Sequence, residues 1–183
     1  MSSNEQNFTI EPMTVSTIDA ANEMRLQSWM DTYGNEALGV TNEWLEDHLK
    51  GQWSEEFKAN RLKRLENPNW GGWVALDGDG NVVGSTTPYI DDEDVRHIGS
   101  LYVDKAWHGK GVGGALMQKN IDWHGADAEI ILEVVAYNDR AKAFYRKWDF
   151  DEIPGTEEIY ANKIPVVTMI RNQANATKQG ENE

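Results

Sequence analysis

A glycine-rich turn between a β-prone run and a helical run constrains this chain more than any other feature. The stretch from Leu101 to Gly114 reads LYVDKAWHGKGVGG, and the helical run Ala115 to Trp123 follows it. The first turn of a helix has backbone N–H groups without partners and a positive partial charge, so it binds anions. Glycine lets a phosphate approach the backbone closely. We therefore predict a pyrophosphate site at this turn.

The glycine motif alone is compatible with several phosphate ligands. A dinucleotide fingerprint follows the first strand of a βαβ unit and has an acidic residue about 20 positions further on. Here the loop lies past the middle of the chain, behind an expected β-hairpin. A P-loop needs Gly-Lys followed by Ser or Thr, whereas Gly111 follows Lys110. Both of these alternatives fit the sequence poorly.

Hydrophobic periodicity predicts one α/β domain, with α+β character, over residues 1–171. We expect a mixed sheet of about six to seven strands with helices on both faces. The expected strands are 8–15, 73–76, 82–89, 95–103, 129–137, 150–153 and 164–170, and the expected helices are 16–33, 42–50, 54–65, 115–123 and one that opens at Asn138. Residues 172–183 are polar, which predicts a flexible C-terminal tail.

Composition excludes several classes of function. The net charge of −14 argues against a nucleic-acid partner, which would require a basic face. Cysteine is absent, so disulfides, thiolate metal sites and a cysteine nucleophile are excluded, and we expect no metal. No run approaches the ~20 apolar residues of a membrane span, and MSSNEQNF lacks the regions of a signal peptide. We expect a cytoplasmic protein without a membrane partner.

The negative charge is unevenly distributed along the chain. Residues 101–150 contain seven Lys or Arg and seven Asp or Glu, so the excess lies elsewhere, notably at 91–94 and 43–56. A solvated acidic surface is the simpler explanation. The functional alternative is an acidic rim that attracts a cationic substrate, beside a neutral segment that tolerates an anionic cofactor.

The motifs around the turn resemble those of the GNAT family of N-acetyltransferases. The family pattern is an LYV-like triplet, a Gln/Arg-x-x-Gly-x-Gly/Ala loop and an Asn-x-x-Ala-x-x-Phe-Tyr helix. This sequence has LYV at 101–103, HGKGVG at 108–113, and a later helix with Asn138, Ala141, Phe144 and Tyr145. Two positions depart from the pattern. His108 replaces the usual Gln or Arg, and Asp149 replaces the Gly that normally precedes Phe150. Neither change removes a backbone donor.

The resemblance implies a single-domain GNAT fold with acetyl-CoA as cosubstrate. Backbone groups of Leu101, Tyr102 and Val103 would hold the pantetheine arm as an added strand. Asn138 and Ala141 would contact the same arm, and Tyr145 would lie beside its sulfur. The pyrophosphate would bind backbone N–H groups from the residues of the loop, with an optional contact from the lysine side chain: His108, Gly109, Lys110, Gly111, Val112, Gly113 and Gly114.

Acyl transfer to an amine requires two proton movements. The ammonium must lose a proton to become nucleophilic, and the departing thiolate must be protonated or stabilised. Without cysteine, direct transfer is the expected route. Tyr145 suits the acid role because a phenol has a pKa of ~10. A core tyrosine packed with Phe144 and Trp148 is the structural alternative.

Two residues are candidates for the base. Glu133 looks like the glutamate that RimI-type protein N-terminal acetyltransferases use, and we expect it in a sheet covered on both faces, where a carboxylate is costly unless it serves a purpose. A structural ion pair is the alternative. His97 is the second candidate because its pKa suits neutral pH, although a solvent-exposed position is expected for it. His48 and His124 are expected at the surface.

The acceptor is expected to contact the first two helices. The segment SWMDTYG, residues 28–34, looks like the corresponding segment of PaiA-type spermidine/spermine acetyltransferases. Trp29 and Tyr33 would form an aromatic wall and Asp31 a counter-charge for an amine. Helix packing explains Trp29 and Tyr33 equally well. The expected acceptor is a small cationic amine such as a polyamine, and the alternative acceptor is a protein N-terminus, as in RimI-type enzymes. A non-catalytic acyl-CoA-binding module is the alternative function. The resemblance also implies a homodimer, for which no residue here gives proof.

Overall fold

The structure is a computed structural model that describes residues 7–172. The expected tail, except Asn172, lies outside the described residues. The described chain folds into eight strands and five α-helices in the order β1 (Phe8–Pro12), α1 (Ile18–Tyr33), α2 (Asn42–Leu49), α3 (Glu55–Leu65), β2 (Trp73–Asp77), β3 (Val82–Ile90), β4 (Arg96–Val103), α4 (Val112–His124), β5 (Ile130–Val135), α5 (Asp139–Arg146), β6 (Phe150–Glu152), β7 (Glu158–Tyr160) and β8 (Ile164–Arg171).

All eight strands form one sheet in the order β1-β2-β3-β4-β5-β8-β6, and β7 pairs with β8. Every neighbouring pair is antiparallel except β4 and β5, which are parallel. The mixed sheet is as predicted, with one strand more than the expected six to seven. The additional strand is β7, whose three residues are all exposed and therefore carry no alternating pattern.

Helices cover both faces of the sheet, as the sequence predicted. On one face, Met117 and Ile121 of α4 and Tyr145 of α5 pack against Leu132 and Val134 of β5. On the other face, α1 and α2 pack against β5 and β8 through a second cluster of buried side chains: Trp29, Leu45, Leu49, Val135 and Ile164. Because side chains alternate along a strand, β5 contributes to both layers.

Helix starts follow local capping chemistry. The side chain of Thr41 accepts a hydrogen bond from the N–H of Trp44 at 3.2 Å, and that of Ser54 accepts one from Phe57 at 3.1 Å. Side-chain oxygens at the N-cap satisfy N–H groups that the helix leaves unpaired. Both starts were predicted. Helix α1 begins at Ile18, two residues later than expected, and its N-cap makes no side-chain hydrogen bond.

The centre of the sheet is split between β4 and β5. Thr87 pairs with Ser100 and Pro88 with Ile98, so Gly99 is an extra residue, a β-bulge in β4. A Cβ at Gly99 would lie 2.9 Å from the ring of Tyr89, so this position requires glycine. Bulges bend and twist a strand. In the described residues β4 and β5 pair only at His97 and Ile131, and the strands then diverge to leave a gap.

Candidate active site

The gap between β4 and β5 is a cleft of about 540 Å³. It brings together residues from β4, β5, the glycine turn, α4, α5 and α1. Of the residues predicted from sequence, the cleft is lined by Tyr33, Leu101, Tyr102, Val103, His108, Gly109, Gly111, Gly113, Gly114, Glu133, Asn138, Ala141 and Tyr145. Four predicted residues do not line this cleft: Trp29, Asp31, Lys110 and Val112.

The glycine turn ends in an uncapped helix start. Helix α4 begins at Val112, three residues earlier than predicted, so Gly113 and Gly114 belong to its first turn. Gly109 and Gly111 have φ angles of 76° and 88°, which L side chains rarely adopt. The N-cap, Gly111, provides no side-chain hydrogen bond. The first N–H groups of α4 are therefore available to an anion in the cleft.

The side chains of the glycine turn point in different directions. Val112 is fully buried in the core and does not line the cleft, so of the first residues of α4 only Gly113 and Gly114 face the cleft. The Lys110 ammonium lies over the ring of Trp107, 4.7 Å from the centroid. His108 Nε2–H donates to the Val103 carbonyl at 3.0 Å, which leaves Nδ1 to accept a hydrogen bond from the Arg140 guanidinium. Arg140 lines the cleft and was missed by the sequence reasoning.

Helix α5 and its N-cap contribute three predicted residues to the opposite wall: Asn138, Ala141 and Tyr145. Asn138 caps this helix, and its Oδ1 accepts a hydrogen bond from the Ala141 N–H at 3.1 Å. About two turns later, Tyr145 is 8% exposed and packs edge-to-face against Phe144 and at a tilt against Phe150. Burial, with a smaller electrostatic contribution from Tyr102, raises the pKa of Tyr145 above its ordinary value. Its phenol is therefore protonated at neutral pH and can donate.

Glu133 lies exposed in the cleft, which corrects the expectation of a carboxylate covered on both sides. Its neighbours Leu132 and Val134 point to the opposite face and are 3% and 7% exposed. Burial, and then the negative charge of Glu133, raise the pKa of Tyr89. The splayed strands thus hold the carboxylate in an open position without a desolvation cost.

The histidines differ from their expected positions. The side chain of His97, expected to be solvent-exposed, is only 19% exposed; its Nε2 lies 2.8 Å from Asp91 Oδ2 and its ring stacks on Tyr89 at 4.4 Å. It does not line the cleft. His124, expected at the surface, is 8% exposed, and its Nε2–H donates to the His97 carbonyl at 3.0 Å. Burial lowers the pKa of His124 to about 4.

An aromatic cluster lies around Tyr33 and Tyr102, which both line the cleft. Trp29 is 9% exposed, and its Nε1–H donates to the Tyr102 hydroxyl at 2.8 Å, so it supports a lining residue from behind. Tyr33 packs edge-on against Trp29 at 4.9 Å. His48 stacks on Trp44 at 4.9 Å, and its Nε2 lies 3.1 Å from the Tyr160 hydroxyl. We call these six residues the aromatic side, and residues 108–114 with the start of α4 the glycine side.

Asp31 lies at the mouth of the cleft. Its carboxylate accepts a hydrogen bond from the Gln27 side chain at 3.1 Å. It lines an adjoining pocket of about 250 Å³ that shares residues with the main cleft. The residues predicted for the acceptor are therefore placed at three depths: Asp31 at the mouth, Tyr33 on the wall and Trp29 behind it.

Solved structures with this architecture define the class of protein. A PaiA N-acetyltransferase from Thermoplasma acidophilum, in complex with coenzyme A, superposes with a TM-score of 0.70 at 19% identity, over 88% of this chain and 97% of that one. A GNAT-family acetyltransferase from Staphylococcus aureus gives 0.68 at 18% identity, over 91% and 99%. An acetyltransferase from Streptococcus agalactiae gives 0.65 at 18%, over 91% and 99%. The fold is that of an acetyltransferase.

The family follows from the sequence match. The sequence model of the acetyltransferase (GNAT) family matches residues 23–150, well over half of the chain. This protein belongs to the GNAT family and is an N-acetyltransferase. Comparison with curated proteins gave no match.

Between residues 7 and 172, no three or more His, Asp or Glu side chains are grouped so that they could hold a metal ion. No helix in that range has both the length and the apolar character needed to cross a membrane.

Proposed function

We propose that this chain transfers an acetyl group directly from acetyl-CoA to the primary amine of a small cationic molecule such as a polyamine. The observation that carries the proposal is the cleft between β4 and β5, which has an uncapped helix start on one wall and a carboxylate and a protonated phenol facing the same space. A thioester arm, its phosphates and an amine each find a chemically suitable group there.

The cleft suits the cosubstrate because its free hydrogen-bonding groups belong to the backbone. Leu101 to Val103 pair with β3 on one side, and no β5 residue pairs with them on the other. Unpaired strand groups accept an added strand, and the amide groups of a pantetheine arm have that character. The N–H groups at the start of α4 would bind the pyrophosphate. When bound, acetyl-CoA supplies the acetyl group as a thioester.

The proton movements are assigned to two side chains. Glu133, exposed in the cleft, accepts the proton of the acceptor ammonium, directly or through a water. Tyr145 donates its phenolic proton to the sulfur as the C–S bond breaks, and the acylated nitrogen then loses its second proton, which restores the phenol. Burial raises the pKa of Tyr145, so the phenol is protonated at neutral pH.

The preference for a cationic acceptor rests on the residues around the aromatic side. The rings of Tyr33 and Tyr102 and the carboxylate of Glu133 line the cleft, and aromatic faces beside a carboxylate favour an ammonium group. A net charge of −14 adds long-range attraction for a polycation.

The experiment is an acceptor screen that measures release of free CoA thiol from acetyl-CoA. The panel contains spermidine, spermine, aminoglycosides, amino acids and peptides with free N-termini. We expect the highest kcat/KM for a polyamine. A preference for peptides would instead support the protein N-terminal alternative. Binding of acetyl-CoA in calorimetry without thiol release for any amine would support the non-catalytic module.

The base is tested with Glu133→Gln. We expect kcat/KM at pH 7 to fall about 100-fold, because a positioned base contributes that much or more, with acetyl-CoA affinity unchanged. Glu129→Gln is the matched control, since Glu129 lies exposed just before β5 and does not line the cleft. Equal activity of the two variants would remove Glu133 from the mechanism.

A further inference from the structure

A second pocket of about 250 Å³ opens beside the glycine side, at the mouth of the cleft. It shares Arg140 and His108 with the main cleft and adds Lys105 and Asp31. The pocket therefore contains two permanent cations and one carboxylate, in a molecule whose overall charge is strongly negative. A local excess of positive charge at this place requires an explanation.

The position of Arg140 is fixed by a hydrogen bond rather than by an ion pair. His108 Nε2–H donates to the Val103 carbonyl at 3.0 Å, so its Nδ1 is an acceptor and takes the bond from the Arg140 guanidinium. Within residues 7–172 no carboxylate lies within ion-pair distance of Arg140. The neighbouring Asp139 pairs with Lys142 at 3.3 Å instead. The guanidinium keeps donors free for an anion.

The lysine of the glycine motif does not take this role. The Lys110 ammonium lies over the Trp107 ring at 4.7 Å, and Lys110 lines neither of the two pockets. The backbone N–H groups of α4 provide for one anionic group, the pyrophosphate. Coenzyme A also carries a phosphate monoester on its ribose, with up to two negative charges, which is a second anionic group separate from the pyrophosphate.

We propose that Arg140, aligned by His108 and assisted by Lys105, binds the 3′-phosphate of the cosubstrate in the mouth pocket. The assignment rests on the proposed use of acetyl-CoA by this cleft. A guanidinium suits a phosphate because its planar donors match two phosphate oxygens at once. His108 is a positioning residue here: it occupies the first position of the motif and holds a cation supplied by another helix.

The test compares the affinities of CoA and 3′-dephospho-CoA by calorimetry. The wild-type chain is expected to bind CoA about tenfold more tightly than dephospho-CoA, in keeping with one charge-assisted contact. Arg140→Gln is expected to lose about tenfold for CoA and less than twofold for dephospho-CoA. Lys110→Gln, the matched control, is expected to change both affinities less than twofold.

His108 is tested by the same ratio. His108→Phe keeps the backbone N–H but removes the Nδ1 acceptor, so it should reduce the preference for CoA over dephospho-CoA. Added to Arg140→Gln, it should not reduce that preference further. A purely structural role would lower both affinities equally and leave the ratio unchanged.

Other affinity results would contradict the assignment of the 3′-phosphate to Arg140. Equal losses for both ligands in Arg140→Gln would overturn the assignment to the 3′-phosphate, as would wild-type affinity in that variant. A loss in Lys110→Gln confined to CoA would place the contact on Lys110 instead. If the wild-type chain binds neither CoA nor acetyl-CoA, the proposed function itself fails.

Discussion

The glycine side of the cleft offers backbone groups, whereas the aromatic side is assembled from stacked side chains. On the glycine side, two positive-φ glycines and an uncapped helix start come from one short stretch of sequence. On the aromatic side, Trp29, His48 and Tyr160 come from three separate elements and meet only in the folded chain. One wall is local in sequence and the other is not.

This difference determines what each wall can specify. Backbone N–H groups are the same in every sequence, so a turn that presents them must be shaped by glycine, and that requirement leaves a readable motif. Rings and hydroxyls specify a ligand through their chemical identity and their spacing. Several different residues can provide a suitable ring or hydroxyl, so this kind of wall leaves no fixed sequence motif. The glycine side therefore carries a recognisable sequence motif, while the aromatic side can vary in sequence without changing the fold.

The largest effect is expected where the two walls meet at Tyr145. Tyr145→Phe should lower kcat about 100-fold, because the phenolic proton is lost while the packed ring remains, with little change in acetyl-CoA affinity. Steady-state thiol release and calorimetry measure the two quantities. Tyr137→Phe is the control, since the Tyr137 hydroxyl donates to the Tyr33 carbonyl at 2.9 Å outside the cleft. An unchanged kcat for Tyr145→Phe would leave this tyrosine a core residue.

The helix of the glycine side should show a pH-dependent stability through His124. The unfolded chain protonates this residue near its ordinary pKa of 6.5, but the folded chain does so only near pH 4. The folded state thus loses stability as the pH falls between these values, by about 2 to 3 kcal/mol from this residue. Denaturant unfolding across this range measures the loss.

The variant His124→Gln separates this contribution from that of the carboxylates. It should be less stable than the wild type at pH 7, and the difference between the two should shrink toward pH 4. A constant difference between wild type and His124→Gln would contradict the buried neutral imidazole.

The glycine requirement is tested at the two ends of α4. Gly111→Ala, at φ 88°, should cost about 1 to 2 kcal/mol of backbone strain and weaken acetyl-CoA binding about tenfold as the turn shifts. Gly125→Ala, at φ 100° and ψ 139° beyond the other end, carries a larger strain away from the cleft, because that conformation lies outside the left-handed helical region. Both variants should unfold more easily, and only the first should bind acetyl-CoA less tightly. Equal affinities would show that the turn tolerates a side chain.

The smallest effect is expected on the aromatic side. Trp29→Phe removes the N–H that donates to the Tyr102 hydroxyl, which should cost about 1 kcal/mol in unfolding free energy. We expect kcat/KM for the amine to fall a few-fold with acetyl-CoA affinity unchanged. Trp123→Phe, on α4 and edge-on to Trp73 at 6.4 Å, is the control. A larger loss for acetyl-CoA than for the amine would contradict the division between the two walls.

Motifs whose conformation depends on neighbouring residues in the sequence were predicted at the correct positions. The glycine turn, the Asn138 cap and the strand before the turn all lie on the cleft, because their conformations depend on nearby residues. The burial of side chains that contact elements distant in sequence was predicted less accurately. His124 was expected at the surface because a polar residue late in a helix is usually solvated, whereas it packs beneath the start of β4 and donates to a carbonyl there.

Arg140, at the cleft itself, is a second residue whose contacts could not be predicted from its sequence neighbours. It stands two residues after Asn138, in a motif that was recognised, yet nothing in that motif indicates that its guanidinium reaches His108, 32 positions earlier. From the sequence, Lys110 within the glycine motif was the residue expected to add a cation to the phosphate site. In the folded chain its ammonium lies over the ring of Trp107 instead. Side-chain direction at a turn depends on the surface that the turn meets.

The sequence by itself determined the order of the elements, the glycine turn and the family, because backbone conformation and hydrophobic periodicity are encoded over short distances. The tertiary structure decided how far β4 and β5 separate, which follows from the Gly99 bulge, and which side chains gather around the gap. Contacts between residues 29, 48, 102 and 160 depend on the packing of whole layers. The glycine side could thus be predicted from one stretch of sequence, whereas the aromatic side exists only in the folded chain.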